Sequence, residues 1–278
     1  MTGPAVAIAP GERAFDLHLH THRSMDAFTS TDELLRVAKA KGIGIAVTDH
    51  SEIRGAVEAL ERADGVEVIP AIEVKAQSGV DVMVYFEDAD EMVDYYRTVI
   101  EPRRQGIHSF IPALREREIV DGAGRYRCLL SAPHPYAPDR MGLAGVVDSG
   151  AVGADLLARM DLIETENAMM PPRINRRAVA LAEKLQKPMI GGSDAHVPWM
   201  VGGAVTAIPK DEPFFAALRA GHCRAVGGTA WHLLSPVVFV AGQARFLGQP
   251  NGWPLLKHNL EVFRNRSLRD GSKPEPTA

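Results

Sequence analysis

Short runs of β-branched and aliphatic residues recur along the chain, separated by longer stretches whose apolar positions return every three or four residues. The runs are Phe15–His20, Gly44–Thr48, Val66–Val74, Val80–Phe86, Cys128–Ala132, Met160–Glu166 and Pro188–Gly192, and their length and composition predict seven strands. The longer stretches predict helices. Over Asp32–Lys41 the apolar face is preceded by Ser30 and Glu33 at the spacing of a capping box and followed by Gly42, a residue suited to a helix end. A second helix is predicted after Glu52, running to about Asp64 with Gly65 as its stop. Arg173–Lys187 forms a third, with Ile174, Val179, Leu181, Ala182 and Leu185 on one side and Pro188 as its terminator.

Alternating strands and helices predict an α/β protein with parallel strands joined by right-handed crossovers, and seven repeats favour a closed barrel over an open sheet. Residues 87–127 separate two strands by more than one helix requires, which predicts a helical excursion on the rim. Residues 1–13 precede the first strand as an extension. Residues 229–268, with apolar Val237–Val240 and an amphipathic run at Leu255–Phe263, form a C-terminal extension expected to add to the core, an interface being the alternative. The last ten residues, 269–278, are rich in Lys, Pro, Ser and Glu and predict a disordered tail.

A chain of 278 residues with 46% hydrophobic content can bury a sizeable core, and one large domain is the first expectation. Thirty-one basic and 35 acidic residues leave a net charge of -4, so no chain-wide positive field exists to hold a long nucleic acid. Cys128 and Cys223 cannot build the disulfide framework of a secreted mini-domain, which points to a reducing, cytoplasmic setting. Met1–Pro10 lacks the basic residues of a signal peptide, and no run is long enough to span a bilayer.

The chemistry gathers where apolar runs end, which is where barrel enzymes keep their sites. In D-L-H-L-H-T-H, His18 and His20 lie two apart on a predicted strand, so both imidazoles face one way and one metal can reach both. His22 continues that alternation. Asp194 and His196 repeat the spacing in G-S-D-A-H, and between these segments come His50 in T-D-H, Glu73 in A-I-E-V and His134 in A-P-H-P. A lone histidine at a strand end is commonly structural, but five such ends would meet at one barrel mouth. Carboxylates crowded there repel one another unless cations neutralise them. Mixed imidazole and carboxylate ligands suit zinc, manganese or iron, and a bound ion lowers the pKa of its water and stabilises a leaving oxygen.

Through H-L-H-T-H-R-S-M-D, V-T-D-H-S, P-A-I-E-V, A-P-H-P and G-S-D-A-H, spread over Phe15–Val201, the chain resembles the PHP family, named for polymerase and histidinol phosphatase. The resemblance implies a distorted (β/α)7 barrel and a centre of two or three divalent ions. It implies that His18, His20, Glu73 and Asp194 surround one ion, that Glu73 bridges to a second partly held by His134, and that Asp26, His50 and His196 hold a third. Asp194 and His196 would act on the substrate through metal-activated water. Two departures stand out. Asp81 in D-V-M-V-Y-F takes the place of a histidine common in the family, and it is either a harder ligand or a lost one. Ala27 stands where a glycine commonly follows the aspartate.

The family also places basic residues round the mouth, and Arg140 is the candidate phosphate contact, with Arg54 and Arg173 behind it and His22 a further substrate contact. Glu166 and Asn167 in I-E-T-E-N are candidate supporting residues. Trp199, Trp231 and Trp253 lie outside any basic, aromatic-rich stretch and are expected to pack rather than stack on bases. The implied function is a metal-dependent phosphoesterase acting on a small phosphorylated metabolite or nucleotide. The alternatives are a nuclease or phosphodiesterase acting on short nucleic acid, and a non-catalytic metal-binding module.

Overall fold

Pro70 divides the apolar run Val66–Val74 into two strands that serve different sheets. Proline has no N–H for a ladder, so pairing is interrupted at it. The residues before it, β3 (Val68–Ile69), pair in parallel with β2 (Gly44–Val47), whereas β4 (Ala71–Lys75) pairs antiparallel with β5 (Asp81–Phe86). The computed structural model describes residues 6–24, 26–104, 112–138, 141–227, 229–248 and 253. The remaining strands among them are β1 (Glu12–Leu19), β6 (Cys128–Ala132), β7 (Leu162–Asn167), β8 (Met189–Gly192), β9 (Ala204–Pro209) and β10 (Arg224–Gly227). The helices are α1 (Thr31–Lys41), α2 (Arg54–Glu61), α3 (Ala89–Tyr95), α4 (Glu116–Ala123), α5 (Leu143–Asp148), α6 (Asp155–Ala158), α7 (Pro172–Leu185), α8 (Phe214–Ala220) and α9 (Ser235–Leu247).

The strands form two five-stranded sheets, β10-β9-β1-β2-β3 and β4-β5-β6-β7-β8, in a mixed α/β fold. The expectation of parallel pairing throughout is corrected in four places. β4 and β5 are joined by only 76–80, too short for a crossover, and close as a hairpin with Gly79 at φ 99°. β5 also runs antiparallel to β6 despite the long 87–127 connection, which carries α3, a π-helical turn at Tyr96–Ile100 and α4. Strands β9 and β10, absent from the seven predicted, continue the first sheet antiparallel to β1 and to each other.

The predicted helices hold with shifted ends. Ser30 Oγ accepts the Glu33 N–H and Gly42 closes α1 in the left-handed region at φ 64°. α2 ends at Glu61, short of Asp64, and Gly65 (φ 81°) turns the chain beyond it. α7 is closed by Gln186 at φ 53°, before Pro188.

Both edges of the second sheet meet the first, β4 following its edge strand β3 and β8 running on to its central strand β1. Pro70 links β3 to β4 in the chain, while after β8 the Asp194 N–H donates to the His18 carbonyl (2.8 Å) and the His20 N–H donates to the Ala195 carbonyl (3.0 Å). Between them, Phe15, Leu17, Ala46, Ile69, Ala71, Met83, Tyr85, Leu129, Leu162 and Ile190 form one buried cluster closed by Phe214, Ala217 and Leu218 of α8. Their strand neighbours, among them Ile45, Val47, Ile72, Val74, Val84, Leu130 and Ile163, pack in the opposite direction in a second cluster with residues of the helices. Both faces of these strands are therefore buried, which explains why they read as continuous apolar runs.

Strand alternation then builds a second level on that inner face. Two residues beyond Ala71 comes Glu73 and then Lys75; two before Met83 is Asp81; two beyond Leu129, Leu162 and Ile190 come Ser131, Glu164 and Gly192. The inner face is apolar at one level and carries Glu73, Lys75, Asp81 and Glu164 at the next.

Candidate metal centre

His18 and His20 stand at the end of β1. Strict alternation would set them opposite Leu17, yet Leu17 belongs to the inner cluster; the register of β1 against β2 shifts between Asp16 and Leu19, and this irregularity turns the histidines inward. Asp16 anchors the turn that carries Asp194, its buried carboxylate accepting the N–H groups of Ser193 (2.8 Å) and Gly202 (2.7 Å). Burial pushes the Asp16 carboxyl up to about 6 against those hydrogen bonds. His50 is set by its neighbour Asp49, which takes the Thr21 N–H and hydroxyl, each at 2.7 Å. A Cβ on Gly55 would fall 2.0 Å from Asp49 Oδ2, so only glycine fits beneath that carboxylate. His134 and Asp194 are held at φ 26° and 53°, a region costly for residues with side chains and recurrent at functional sites.

These elements bring eight of the nine expected ligands into one connected cluster. The Nε2 atoms of His18 and His20 lie 3.1 Å apart. Glu73 Oε1 is 3.4 Å from His18 Nε2 and 3.5 Å from His134 Nε2, and its Oε2 is 2.8 Å from His50 Nδ1 and 3.6 Å from His20 Nε2. Asp194 Oδ1 is 3.3 Å from His20 Nε2, 3.5 Å from His18 Nε2 and 3.6 Å from His196 Nδ1. Asp26 Oδ2 bridges His50 Nε2 (3.3 Å) and His196 Nε2 (3.4 Å). The ninth, Asp81, adjoins His50 and Glu73, but Lys75 Nζ lies 2.6 Å from its Oδ1 and 2.7 Å from its Oδ2.

This donor set fits divalent cations. Both Glu73 oxygens are fully buried and make no hydrogen bond, their nearest polar neighbours being imidazole nitrogens. Two imidazole nitrogens 3.1 Å apart can share only one proton, and both face the same carboxylates.

Protons on the histidines balance the carboxylates of this cluster. Burial disfavours the charged imidazole of His18, but Asp194, Glu164 and Glu73 outweigh it and hold its pKa well above the usual range. His50 is raised likewise by Asp26 and Glu73, and His196, half-buried beside Asp26 and Asp194, rises to about 9. His20, buried and next to His196 and His50, falls to about 3. Burial opposes ionisation of Glu73, Asp194 and Asp26, yet their histidine neighbours keep all three well below the usual carboxylate range. At Lys75, Asp81 and Glu73 overcome burial and keep the ammonium charged.

Residues 16–137 match the PHP domain family and residues 172–223 match the PHP-associated family, together more than half of the chain. The chain belongs to the PHP family. An uncharacterized protein of Methanocaldococcus jannaschii is 31% identical over 137 residues, covering 44% of this chain and 68% of its own. A probable phosphatase of Shewanella sp. strain ANA-3 is 26% identical over 229 residues, 71% of this chain and 85% of its own. Among solved structures, a lesion-specific endonuclease from Pyrococcus furiosus shares the fold at TM-score 0.60 and 21% identity, over 77% of this chain and 57% of its own.

The PHP fold also brings in residues the motifs left out. Glu164 Oε1 lies 3.0 Å from His18 Nδ1, while its Oε2 accepts the His134 N–H (2.7 Å) and Asn167 Nδ2 (3.0 Å). Asn167 donates in turn to Asp194 Oδ2 at 3.2 Å, the supporting place expected of it. Glu166 does not share that place. The register of β7 against β8 shifts between Glu164 and Glu166, and the Glu166 carboxylate accepts from Asn175 Nδ2 instead. The position of Glu164 two residues beyond apolar Leu162 was the available signal.

Helix α9, outside both matched segments, lies against the Asp26 loop. A Cβ on Gly242 would come 2.7 Å from the Asp26 carbonyl and 3.1 Å from its Cβ. Arg245 donates to the carbonyls of Ala27 and His22 and stacks over Phe28, its guanidinium carbon 5.2 Å from the ring centre. Of the run Val237–Val240, Val238 is buried with the core, whereas Val237 and Val240 are exposed. Residues 269–278 and Leu255–Phe263 lie outside the described residues.

The basic candidates fare less well. Arg140 lies outside the described residues. Arg54 is paired with Glu52 (2.7 Å), and Arg173 is exposed in the first turn of α7. His22 sits in the turn after β1, apart from the ligand groups, because the strand ends at Leu19 and alternation ends with it. Of the tryptophans, Trp231 packs beside Gly203, whereas Trp199 and Trp253 are exposed, which corrects the expectation that all three pack. Among the described residues no helix is long and apolar enough to cross a membrane.

Proposed function

We propose that the chain is a metal-dependent phosphoesterase that hydrolyses the phosphate ester of a small metabolite or nucleotide. The observation that carries this reading is the meeting of five histidines, Glu73, Asp26 and Asp194 around shared positions at the ends of strands from both sheets. We read the two sheets, joined at both edges of the second, as the wall of a distorted barrel with this cluster at its mouth.

His18, His20, Glu73 and Asp194 would hold one ion, and Asp26, His50 and His196 another, with His134 facing Glu73 between Asp194 and the hairpin. Bound zinc, manganese or iron supplies an activated water and neutralises charge on phosphoryl oxygens. The protein's own residues orient these groups. Glu164, on His18 Nδ1, directs Nε2 into the centre, and the Asp194 carbonyl, 2.9 Å from His196 Nδ1, does the same for His196. Asp194, within reach of three imidazoles, would position the attacking water together with His196. A net charge of -4 favours a small substrate over a long polyanion.

The test is hydrolysis of an aryl phosphate, a mononucleotide and a short oligonucleotide by metal-loaded protein, alongside His18→Ala and Asp194→Ala. The expected result is turnover of the first two substrates, lost in both variants while circular dichroism stays unchanged. Turnover of the oligonucleotide alone would move the assignment to a nuclease, and unaltered turnover in both variants would end the proposal.

A further inference from the structure

Four groups of three side chains bring potential ligand atoms within 4.8 Å of one another: His18/His20/Glu73, His18/His134/Asp194, His20/His50/His196 and His50/Glu73/Asp81. The first three contain no basic side chain other than histidine. The fourth already meets a cation. Lys75 Nζ lies 2.6 and 2.7 Å from the two oxygens of Asp81, and its other contact is the Gly79 carbonyl at 3.5 Å.

This pairing is built into the fold. Lys75 and Asp81 are directly opposed at the turn end of the β4–β5 hairpin, and each lies on the inner face by the same alternation that presents Glu73 and Met83 there. Lys75 is 8% and Asp81 1% exposed, so neither side chain can turn to water without opening the hairpin. The Lys75 N–H also donates to Ser51 Oγ (3.3 Å), next to His50, and the Asp81 N–H donates to the Met141 carbonyl (3.0 Å).

We infer that the Lys75 ammonium takes the place of a metal ion beside Glu73 and Asp81, so that the centre holds two divalent ions and one fixed protein cation. This rests on the metal-dependent reading above. With Asp81 held by Lys75, the His50/Glu73/Asp81 group is left with His50 and Glu73 as its protein donors, fewer than the three that retain a catalytic ion. A divalent ion there would also face the ammonium across a short, poorly screened distance. The lysine supplies positive charge without dissociating, which leaves that charge independent of the metal supply.

The test is metal content rather than turnover. Metal-free protein is titrated with Zn2+ or Mn2+, and bound metal per chain is read by elemental analysis after gel filtration. Wild type is expected to saturate at two ions, and Lys75→Met at three, because Asp81 is then an unpaired buried carboxylate. Should Lys75→Met fail to fold, Lys75→Met combined with Asp81→His replaces the pair by a neutral ligand and is likewise expected to reach three. Three ions in wild type would overturn the inference and leave the phosphoesterase reading standing. Two ions in wild type and in every folded variant would overturn it as well, since the lysine would not be what limits the count. Absence of tight binding in wild type would sink both readings.

Discussion

Glu164 faces His18 across the interior, its Oε1 3.0 Å from His18 Nδ1, and neither side chain touches water. The contact joins β7 of one sheet to β1 of the other and sets which imidazole nitrogen points at the centre. Metal-binding histidines are generally oriented in this way, the second ring nitrogen held by a carboxylate, a backbone carbonyl or water.

Replacing Glu164 by Gln removes the charge and turns an amide towards the His134 and Asn167 N–H donors. Metal affinity is expected to fall by roughly tenfold to a hundredfold, with the far-ultraviolet dichroism unchanged. Competition against a chromophoric chelator measures this, and an unchanged affinity would remove Glu164 from the centre.

Gly192 lies beneath the same histidine. A Cβ there would sit 2.4 Å from His18 Cβ and 2.9 Å from Glu164 Oε1. Gly192→Ala is expected to destabilise the fold by about 1–3 kcal/mol through overpacking and to weaken metal binding together with it. Denaturant unfolding of the metal-free protein separates the two effects.

Helix α9 fixes the Asp26 loop through Gly242 and Arg245, although it lies outside the segments that match the PHP families. Gly242→Val is expected to displace Asp26 and weaken one ion of the set while the remaining one binds as before. A titration that loses a single binding step is the expected signature; loss of all binding at once would show a global role for the helix.

The pH dependence follows from the histidine shifts. His196 rises to about 9 in the folded, metal-free protein from an ordinary 6.5, so its proton stabilises the fold fully below pH 6.5, and that stabilisation is lost as pH rises through about 9. The amount is about 3 kcal/mol for such a shift. His20, lowered to about 3, acts the other way and costs stability below pH 6.5. Thermal stability of the metal-free protein is therefore expected to peak near pH 6.5 and decline towards 9. Metal must displace the His196 proton, so apparent affinity should rise over the same window. Calorimetry in two buffers of different ionisation enthalpy should detect proton release at pH 7, and equal heats in both would contradict it.

The residue types and local spacings settled much of this centre. His18 and His20 share a face because they are two apart at a strand end, and Asp194 and His196 meet because a short turn joins them. Strand runs and the caps of α1 were readable for the same reason, since short-range sterics and hydrogen bonding do not depend on the rest of the chain. Sheet register was beyond reach. The β7 irregularity that selects Glu164 over Glu166, the antiparallel ladder that sets Lys75 against Asp81, and the addition of β9 and β10 all depend on pairing between distant segments. A one-residue slip in such pairing reverses which side chains face inward, so only the folded sheets could decide which acids meet the histidines.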